Sequence, residues 1–204
     1  MILHKPELIE EYIGKGYWGD KTLLERFAAN CVAHPDREAV VDPPNRDELV
    51  GTPAQRLTWA EFGEAVDATA AELSRRGFGK DDVLVAQLPN VWELAMLYLA
   101  AAKAGGLLSA LPMQWRRKDV GYVKDMTGAR FYASAESFHG FDYQALGQEL
   151  GFDHYIGLKE LTDIARTKPG QVPEVPVDAN DIFTLCWTSG TEADPKGCPM
   201  SHNN

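Results

Sequence analysis

The sequence predicts an α/β fold, layered αβα, in which helices cover a largely parallel β-sheet. Segments in which apolar residues recur at helical spacing alternate along the chain with short continuous apolar runs, and short polar connections separate them. The run 83–88 is almost wholly apolar and has the length of a strand, as expected for a parallel strand that is buried on both faces. Repeated alternation of this kind is typical of domains built around a parallel sheet.

Two helices are predicted from their start signals. Thr22 and Glu25 have the spacing of a capping box, in which each side chain bonds the other residue's backbone amide. Thr58 and Glu61 repeat that spacing, and apolar residues follow at helical intervals. The two helices are expected to end at Pro35 and at Gly77.

The other elements follow from apolar runs that are bounded by Pro, Asn and Gly. Asn90, with Glu93 three residues on, predicts the N-cap of a buried helix. The polar loop 43–54 holds three prolines and predicts a hairpin excursion that returns at 56–58. The expected strands are 38–42, 83–88, 107–111, 130–134, 154–156 and 182–187, and the further helices are 91–103, 117–126 and 158–167.

Composition and charge exclude several classes of function. The chain has 204 residues, about one to one and a half domains at roughly 150 residues each. Its 20 Lys and Arg against 30 Asp and Glu give a net charge of −10, which repels nucleic acid and anionic lipid. The longest clearly apolar stretch, 94–102, is far short of the ~20 residues of a membrane span. We therefore expect no nucleic-acid partner and no membrane span.

The N-terminal region and the cysteines bear on the compartment. Acidic residues stand near the N terminus where a secretory peptide would have an apolar core. The three cysteines, Cys31, Cys186 and Cys198, are odd in number and have no CxxC spacing, so neither a disulfide framework nor a zinc site is indicated. We expect a cytoplasmic chain with three structural or incidental thiols, and no metal site formed by protein side chains.

The segment 188–197, directly after the last predicted strand, has the composition of a phosphate-binding loop. Its glycines let backbone amides converge on an anion, its hydroxyls donate to phosphate oxygens, and Lys196 adds a point charge. The stretch from Gln171 to Pro195 holds five acidic residues and no Lys or Arg, so binding must depend on amides, hydroxyls, Lys196 and a divalent metal. The candidate site residues are Thr188, Ser189, Gly190, Thr191, Lys196 and Gly197.

Other interpretations of this loop fit less well. In a P-loop counted from Gly190, the second glycine would fall at Pro195, and Ser or Thr would follow Lys196, where Gly197 stands. The sequence contains neither a dinucleotide-binding GxGxxG nor a GxSxG nucleophile elbow. A plain Ser/Thr/Gly turn without a ligand would explain a lone Ser-Gly-Thr, but not the full string.

The string T-S-G-T-x-x-x-P-K-G resembles the phosphate-binding motif of the adenylate-forming superfamily, which includes acyl-CoA synthetases, aryl-acid AMP ligases and peptide-synthetase adenylation domains. The segments 35–40, 57–62 and 102–105 resemble further family motifs, so the resemblance spans about residues 17 to 204. The segments 87–90 and 110–112 look most like the branch that activates aryl and cyclic acids. The positions that match the loop motif and the Ser-His pair after it are Thr188, Ser189, Gly190, Thr191, Pro195, Lys196, Gly197, Ser201 and His202.

The resemblance implies an ATP-dependent carboxylate–CoA ligase. The acid would attack the α-phosphate of ATP to give an acyl-adenylate and pyrophosphate, and a thiol would then displace AMP. The implied cofactors are ATP, Mg²⁺ and coenzyme A or a carrier's phosphopantetheine, and the implied partners are a small carboxylic acid and a carrier protein where one is used. One departure is the pair Glu192-Ala193, where the family usually has Thr-Gly.

The resemblance also implies a division of the chain. Residues 1–167 would form the first α/β subdomain, and 168–204 a connector, strand and phosphate-binding loop that begin the next part of the large domain. Ser201–Asn204 looks like the opening of another helix, so we expect a fragment. By the resemblance, the catalytic lysine and most of the acyl pocket lie later, so no catalytic residue is expected here and the fragment alone should not turn over. A non-catalytic nucleotide-binding or interaction module stays open as the alternative function, and a homodimer stays open as the assembly.

Overall fold

The computed structural model describes residues 1–172, 174–188 and 194–204. Helices and strands alternate along most of this chain, as the apolar pattern predicts. The helices are α1 Pro6–Gly14, α2 Leu23–Ala33, α3 Arg46–Val50, α4 Trp59–Arg75, α5 Trp92–Lys103, α6 Arg117–Thr127, α7 Tyr143–Glu149 and α8 Leu158–Ala165. The strands are β1 Glu38–Val41, β2 Arg56–Thr58, β3 Val83–Gln87, β4 Leu107–Ala110, β5 Phe131–Ser134, β6 Ser137–Phe138, β7 Phe141–Asp142, β8 His154–Gly157, β9 Ile182–Trp187 and β10 Gly197–Ser201.

Six strands form the central sheet, in the order β10-β9-β4-β3-β5-β8. All neighbours pair in parallel except β10, which runs antiparallel to β9. The prediction of a largely parallel sheet is confirmed. The carboxyl ends of five strands therefore lie at one edge of the sheet, which is where ligands bind in open α/β sheets.

Each face of the sheet is covered by its own apolar cluster. Alternate residues of β3 divide between the faces, with Leu84 and Ala86 on one side and Val83 and Val85 on the other. The first face packs against α4, α5 and α8, and the second against α6 and α7. The predicted αβα layering is thus confirmed.

The two predicted capping boxes are present. Thr22 accepts a hydrogen bond from the Glu25 amide and Thr58 from the Glu61 amide, and each glutamate accepts one in return. Helix α4 ends at Arg75 with Arg76 as its C-cap, and Gly77 then takes a left-handed conformation with φ of 87°.

The expected N-cap of α5 is wrong. Asn90 makes no cap, and Val91 takes the N-cap position without a side-chain bond. Instead, the Trp92 amide donates to Asp42 Oδ1 at 2.9 Å. The carboxylate after β1 therefore satisfies the orphan amide, because the fold brings it to the positive end of the helix.

Several short elements were not expected. The loop 43–54 contains the short helix α3, whose first residue Arg46 is buried, and the strands on either side of it, β1 and β2, pair antiparallel, so the predicted hairpin excursion is confirmed. Helices α1 and α7 and the β6–β7 hairpin also lack a prediction. At the predicted helix opening the structure has the end of β10 and a turn, and Ser201 makes the contacts of a helix start: the Asn203 amide donates to its Oγ at 3.2 Å, and its own amide donates to Asn204 Oδ1 at 2.8 Å. None of the helices in the part of the chain that the structure describes has the length and apolar character needed to cross a bilayer.

Candidate functional site

The predicted phosphate-binding loop connects β9 to β10, and its two ends are tied together. The Thr188 amide donates to the Lys196 carbonyl oxygen at 3.1 Å. The Lys196 amide donates to Thr188 Oγ1 at 3.3 Å. The first hydroxyl and the lysine of the motif therefore come together at the mouth of one hairpin, although eight residues separate them in sequence.

The structure describes half of the predicted site residues. Thr188, Lys196 and Gly197 are exposed at the end of the hairpin. Gly197 is the first residue of β10 rather than part of the loop. The predicted site residues Ser189, Gly190 and Thr191, and the departing pair Glu192-Ala193, lie outside the described residues.

Gly197 is in close contact with the indole of Trp187, its partner across the strands. A Cβ atom at Gly197 would lie 3.2 Å from Trp187 Cη2 and 3.3 Å from Cζ3. The indole itself is held, because its Nε1 donates to Ser109 Oγ at 2.8 Å. A side chain at position 197 would therefore require the ring or the strand to shift by a few tenths of an ångström.

Strand β9 holds the loop at the carboxyl edge of the parallel strands. Thr184 lies beside Leu108 of β4, and its Oγ1 donates to the Leu108 carbonyl at 2.7 Å. Thr188 follows β9 directly, so the loop begins at the edge where β3, β4, β5 and β8 also end. A ligand at the loop would thus face the loops that leave these strands.

The loop after β4 is fixed by a buried amide on that same edge. Gln87, fully buried at the end of β3, donates from Nε2 to the carbonyls of Pro112 at 2.8 Å and Trp115 at 3.2 Å. Its Oε1 accepts a hydrogen bond from the Tyr132 hydroxyl at 2.8 Å. Burial raises the pKa of Tyr132 well above its ordinary value, so this hydroxyl stays a donor.

Two basic residues at the start of α6, Arg116 and Arg117, make contacts within the fold. Arg116 donates to the Met113 carbonyl at 2.6 Å, and its guanidinium lies 4.0 Å from the centroid of the Phe141 ring. Arg117 pairs with Glu149 on α7. These contacts hold α6 and the loop before it. They also engage the guanidinium groups of Arg116 and Arg117, which could otherwise bind a phosphate.

His202 has a role that sequence reasoning missed. It is 6% exposed and packs beside Phe183, with ring centroids 5.0 Å apart. Its Nδ1 accepts a hydrogen bond from the Leu23 amide at the start of α2, at 3.2 Å. This contact joins His202 to the start of α2, and no local sequence signal connects positions 23 and 202.

Asp181, at the opposite end of β9, is the centre of a charged cluster. Lys80 Nζ lies 2.6 Å from its Oδ2, and the Asp178 amide donates to the same oxygen at 2.9 Å. Burial raises the pKa of Asp181, but the hydrogen bonds from Lys80, the N-terminal amine and Asp178 outweigh it and hold the pKa at about 2. The connector that leads to β9 is thereby anchored to the loop before β3.

Comparison with known proteins matches this chain to a family. The sequence model of the AMP-binding enzyme family matches residues 27–204. Triostin synthetase I of Streptomyces triostinicus is 29% identical over 97% of this chain and 36% of its own length. The salicyl-AMP ligase / salicyl-S-ArCP synthetase of Mycobacterium tuberculosis is 28% identical over 95% of this chain and 35% of its own length.

The fold agrees with the same family. The apo structure of MbtA from Mycobacterium smegmatis superposes with a TM-score of 0.82 at 23% identity, over 98% of this chain and 37% of that protein. The chain thus spans little more than a third of the length of the relatives it matches. Because the family model covers most of the sequence, the chain belongs to the AMP-binding enzyme family of adenylate-forming ligases.

Proposed function

We propose that this chain is the N-terminal portion of an ATP-dependent ligase that joins a carboxylic acid to a thiol, in the manner of an acyl-CoA synthetase. The observation that carries the proposal is the hairpin mouth at the carboxyl edge of the sheet, where Thr188 and Lys196 are hydrogen-bonded to each other. The family match supports the use of ATP. The reaction would form an acyl-adenylate and pyrophosphate first, and then a thioester and AMP.

The proposed role of the loop is to hold the β- and γ-phosphates of ATP. Attack of the carboxylate on the α-phosphate expels pyrophosphate, so positioning and neutralisation of the leaving group dominate the barrier. Lys196 would neutralise part of that charge, and Thr188 would donate its hydroxyl proton while its oxygen still accepts from the Lys196 amide. Ser189, Gly190, Thr191 and Gly197 complete the proposed binding set.

The proposed magnesium ion would be carried by the nucleotide. Among the residues that the structure describes, no three His, Cys, Asp or Glu side chains are grouped to hold a metal. Mg²⁺ is commonly bound through substrate phosphates with one or two carboxylates, and it would supply charge neutralisation on the triphosphate. Asp194, an exposed residue of the loop, could supply one such carboxylate in this proposal.

The proposed acid is aryl or cyclic, and the acceptor is coenzyme A or a carrier's phosphopantetheine. The name of the salicyl-AMP ligase among the relatives supports an aromatic acid and a carrier protein. The E. coli medium-chain fatty-acid–CoA ligase, 24% identical over 95% of this chain, supports coenzyme A as the acceptor instead. A homodimer and a cytoplasmic location also stay part of this proposal.

The division of the chain and its lack of turnover are proposed together. Residues 168–204 would begin the next part of the large domain, and the described residues between α8 and β9 form no helix or strand. The catalytic lysine, the adenine and ribose contacts and the interdomain hinge would be supplied by residues after 204. We therefore expect residues 1–204 alone to give no turnover.

The first test is the mass of the native protein, followed by an exchange assay. A mass more than twice 22.5 kDa is expected. The protein at its native length should then incorporate labelled pyrophosphate into ATP only when an aryl or cyclic acid is present. A native mass near that of residues 1–204, or no acid-dependent exchange with any carboxylic acid, would contradict the ligase proposal and favour a non-catalytic nucleotide-binding module.

The second test addresses the loop. Lys196→Ala should lower the rate of exchange on the order of 10²-fold, as expected when one preorganised donor to a transition-state charge is removed. Thr188→Val should lower it as well, and Thr188→Ser should restore it, because serine keeps the hydroxyl. Lys159→Ala is the matched control, since Lys159 is exposed on α8, which follows β8 at the opposite edge of the sheet from the hairpin. Equal exchange in Lys196→Ala and Lys159→Ala would refute the role of Lys196.

A further inference from the structure

Two of the three cysteines face each other across the hairpin that carries the loop. Cys186 of β9 and Cys198 of β10 are direct partners in the strand register. Both side chains are exposed. Directly opposed residues of an antiparallel pair point to the same face of the sheet, so the two thiols share one solvent-facing surface.

The hydrogen bonds of the hairpin define the type of this pair. The Thr188 amide donates to the Lys196 carbonyl, which makes 188 and 196 a hydrogen-bonded pair. The pattern repeats every two residues, so Cys186 and Cys198 also form a hydrogen-bonded pair. Pro199 lies between two such pairs, at a position that donates no hydrogen bond across the ladder, which suits a residue without an amide hydrogen. Cα atoms in hydrogen-bonded pairs are about 5.5 Å apart, within the range that a disulfide spans.

The two sulfur atoms now point to different neighbours. Cys186 Sγ lies 3.5 Å from Met200 Sδ, and Cys198 Sγ lies 4.0 Å from the Lys196 carbonyl oxygen. Both are weak contacts of exposed side chains, and exposed side chains change rotamer in picoseconds to nanoseconds. Rotation about χ1, together with a local approach of the two strands, is therefore the movement that brings the two sulfurs together.

We propose that Cys186 and Cys198 form a reversible intramolecular disulfide by exchange with a low-molecular-weight disulfide. One thiolate attacks a sulfur of the oxidant, which gives a mixed disulfide and one free small thiol. The second cysteine then attacks the protein sulfur of that mixed disulfide and releases a second small thiol. Two protein thiols are oxidised, one disulfide is reduced to two thiols, and the two protons leave on the small thiols.

The geometry predicts a labile bond rather than a permanent staple. Cβ atoms of directly opposed residues lie about 4.5–5.5 Å apart, at or beyond the upper end of the disulfide range of about 3.5–4.5 Å. Closing the bridge therefore draws the strands together locally and stores strain, which makes a disulfide easier to reduce. Exposure gives a reducing thiol direct access to the bond.

Cys31 is an internal control for thiol chemistry in the same molecule. It is only partly exposed, on α2, and burial raises the pKa of its thiol. A higher pKa leaves less thiolate at neutral pH and slows exchange. Its place in the fold does not put it opposite either hairpin cysteine.

The test is oxidation of the protein at its native length with oxidised glutathione, followed by mass spectrometry without reduction. Trypsin cuts after Lys196, so the peptides with Cys186 and Cys198 stay joined only by the disulfide. The expected result is a joined pair of peptides about 2 Da lighter than their sum, which separates on addition of dithiothreitol. Cys31→Ser should retain the product, and both Cys186→Ser and Cys198→Ser should abolish it.

Two results would overturn the proposal. One is a stable glutathione adduct on Cys186 or Cys198 in place of the joined peptides, since exposed thiols that cannot reach each other would stop at that stage. The other is a joined pair that includes Cys31, which would indicate exchange through partial unfolding. Circular dichroism of the Ser variants checks that their loss of the product is not loss of the fold.

Discussion

The Leu23 amide donates a hydrogen bond to Nδ1 of His202 at 3.2 Å, and so joins the first residue of α2 to the end of the last strand. An acceptor at Nδ1 requires the neutral imidazole that carries its proton on Nε2. Burial lowers the pKa of His202; Asp181, Asp178 and Glu25 oppose that effect and Lys80 adds to it. The histidine thus caps a helix only while it is uncharged.

This cap predicts a stability that depends on pH. The pKa of His202 is lower in the folded protein than its unfolded value of 6.5, so the unfolded state binds the proton more readily. The stabilisation is complete above pH 6.5 and is lost as the pH falls below that value towards the folded-state pKa. Protonation also places a positive charge at the positive end of α2. Hydrogen-exchange protection of the Leu23 amide should fall over this range.

The matched variant for this prediction is His202→Gln. Its amide oxygen still accepts a hydrogen bond but does not titrate, so the pH dependence should disappear. His202→Phe keeps the bulk and removes the acceptor, and it should lower the free energy of unfolding by about 1–2 kcal/mol above pH 6.5 and by less as the pH falls, because the wild-type protein then loses the cap as well. An unchanged pH dependence in His202→Gln would assign the effect to another group.

A second prediction concerns the buried ion cluster around Arg46. Its guanidinium donates to Glu93 at 2.7 and 2.8 Å and to Asp42 at 2.9 Å, and both the Arg46 and Glu93 side chains are at most 3% exposed. Thr162 Oγ1 also donates to Glu93, at 2.8 Å. Glu93→Ala removes one partner and leaves the other charges buried, so the free energy of unfolding should fall by about 3–5 kcal/mol.

The control for Glu93→Ala is Glu11→Ala, which removes an ion pair with Lys15 on the exposed face of α1. Exposed pairs of this spacing contribute about 0.5 kcal/mol or less. Urea unfolding of both variants measures the difference. Similar losses of unfolding free energy in the two variants would mean that water or Asp42 fully replaces Glu93 as the partner of Arg46.

The parts of the fold that local sequence determines were predictable. The capping boxes at Thr22 and Thr58 depend on residues three apart, and the buried strand 83–88 depends on its own composition. The cap of α5 was not predictable, because Asp42 lies 50 residues before Trp92 and only the sheet brings them together. Asn90 satisfied the local rule, and tertiary structure overrode it.

The candidate site shows the same division. The residue types of the loop indicated phosphate binding because glycine, hydroxyl and lysine have a direct chemical meaning there. The pairing of Thr188 with Lys196, and with it the opposition of Cys186 and Cys198, required the register of the hairpin. Spacing alone gave no sign of a cysteine pair, since twelve positions separate the two residues.

A third prediction concerns the pKa of Asp181. Because its pKa of about 2 lies below the unfolded value of 3.8, the carboxylate stabilises the fold above pH 3.8, and this contribution is lost as the pH falls through about 2. Lys80→Met removes a close cation and should raise the pKa of Asp181, as followed by NMR of the carboxyl carbon. Lys118→Met, on a remote helix, should leave the titration unchanged. A pKa that stays at about 2 in Lys80→Met would assign the effect to the N-terminal amine and the Asp178 amide.

The last prediction is that Gly197→Val disturbs the hairpin through Trp187. A Cβ at position 197 would lie 3.2 Å from the indole, which is closer than ordinary van der Waals contact, so the ring must move or the strand must. The ring has little room, because it is bonded to Ser109 at 2.8 Å and has Trp115 and Tyr122 at centroid distances of 6.5 and 6.4 Å.

We therefore expect Gly197→Val to lower the free energy of unfolding by about 1–3 kcal/mol, as overpacking does. It should also shift the NMR signal of the Trp187 indole N–H, which reports the bond to Ser109. Gly79→Val is the control, since a Cβ there meets nothing within 4 Å and the backbone is not left-handed. An unmoved indole signal with unchanged stability would mean that β10 yields instead of the ring. The glycine of the motif would then be needed for the ligand and not for the hairpin.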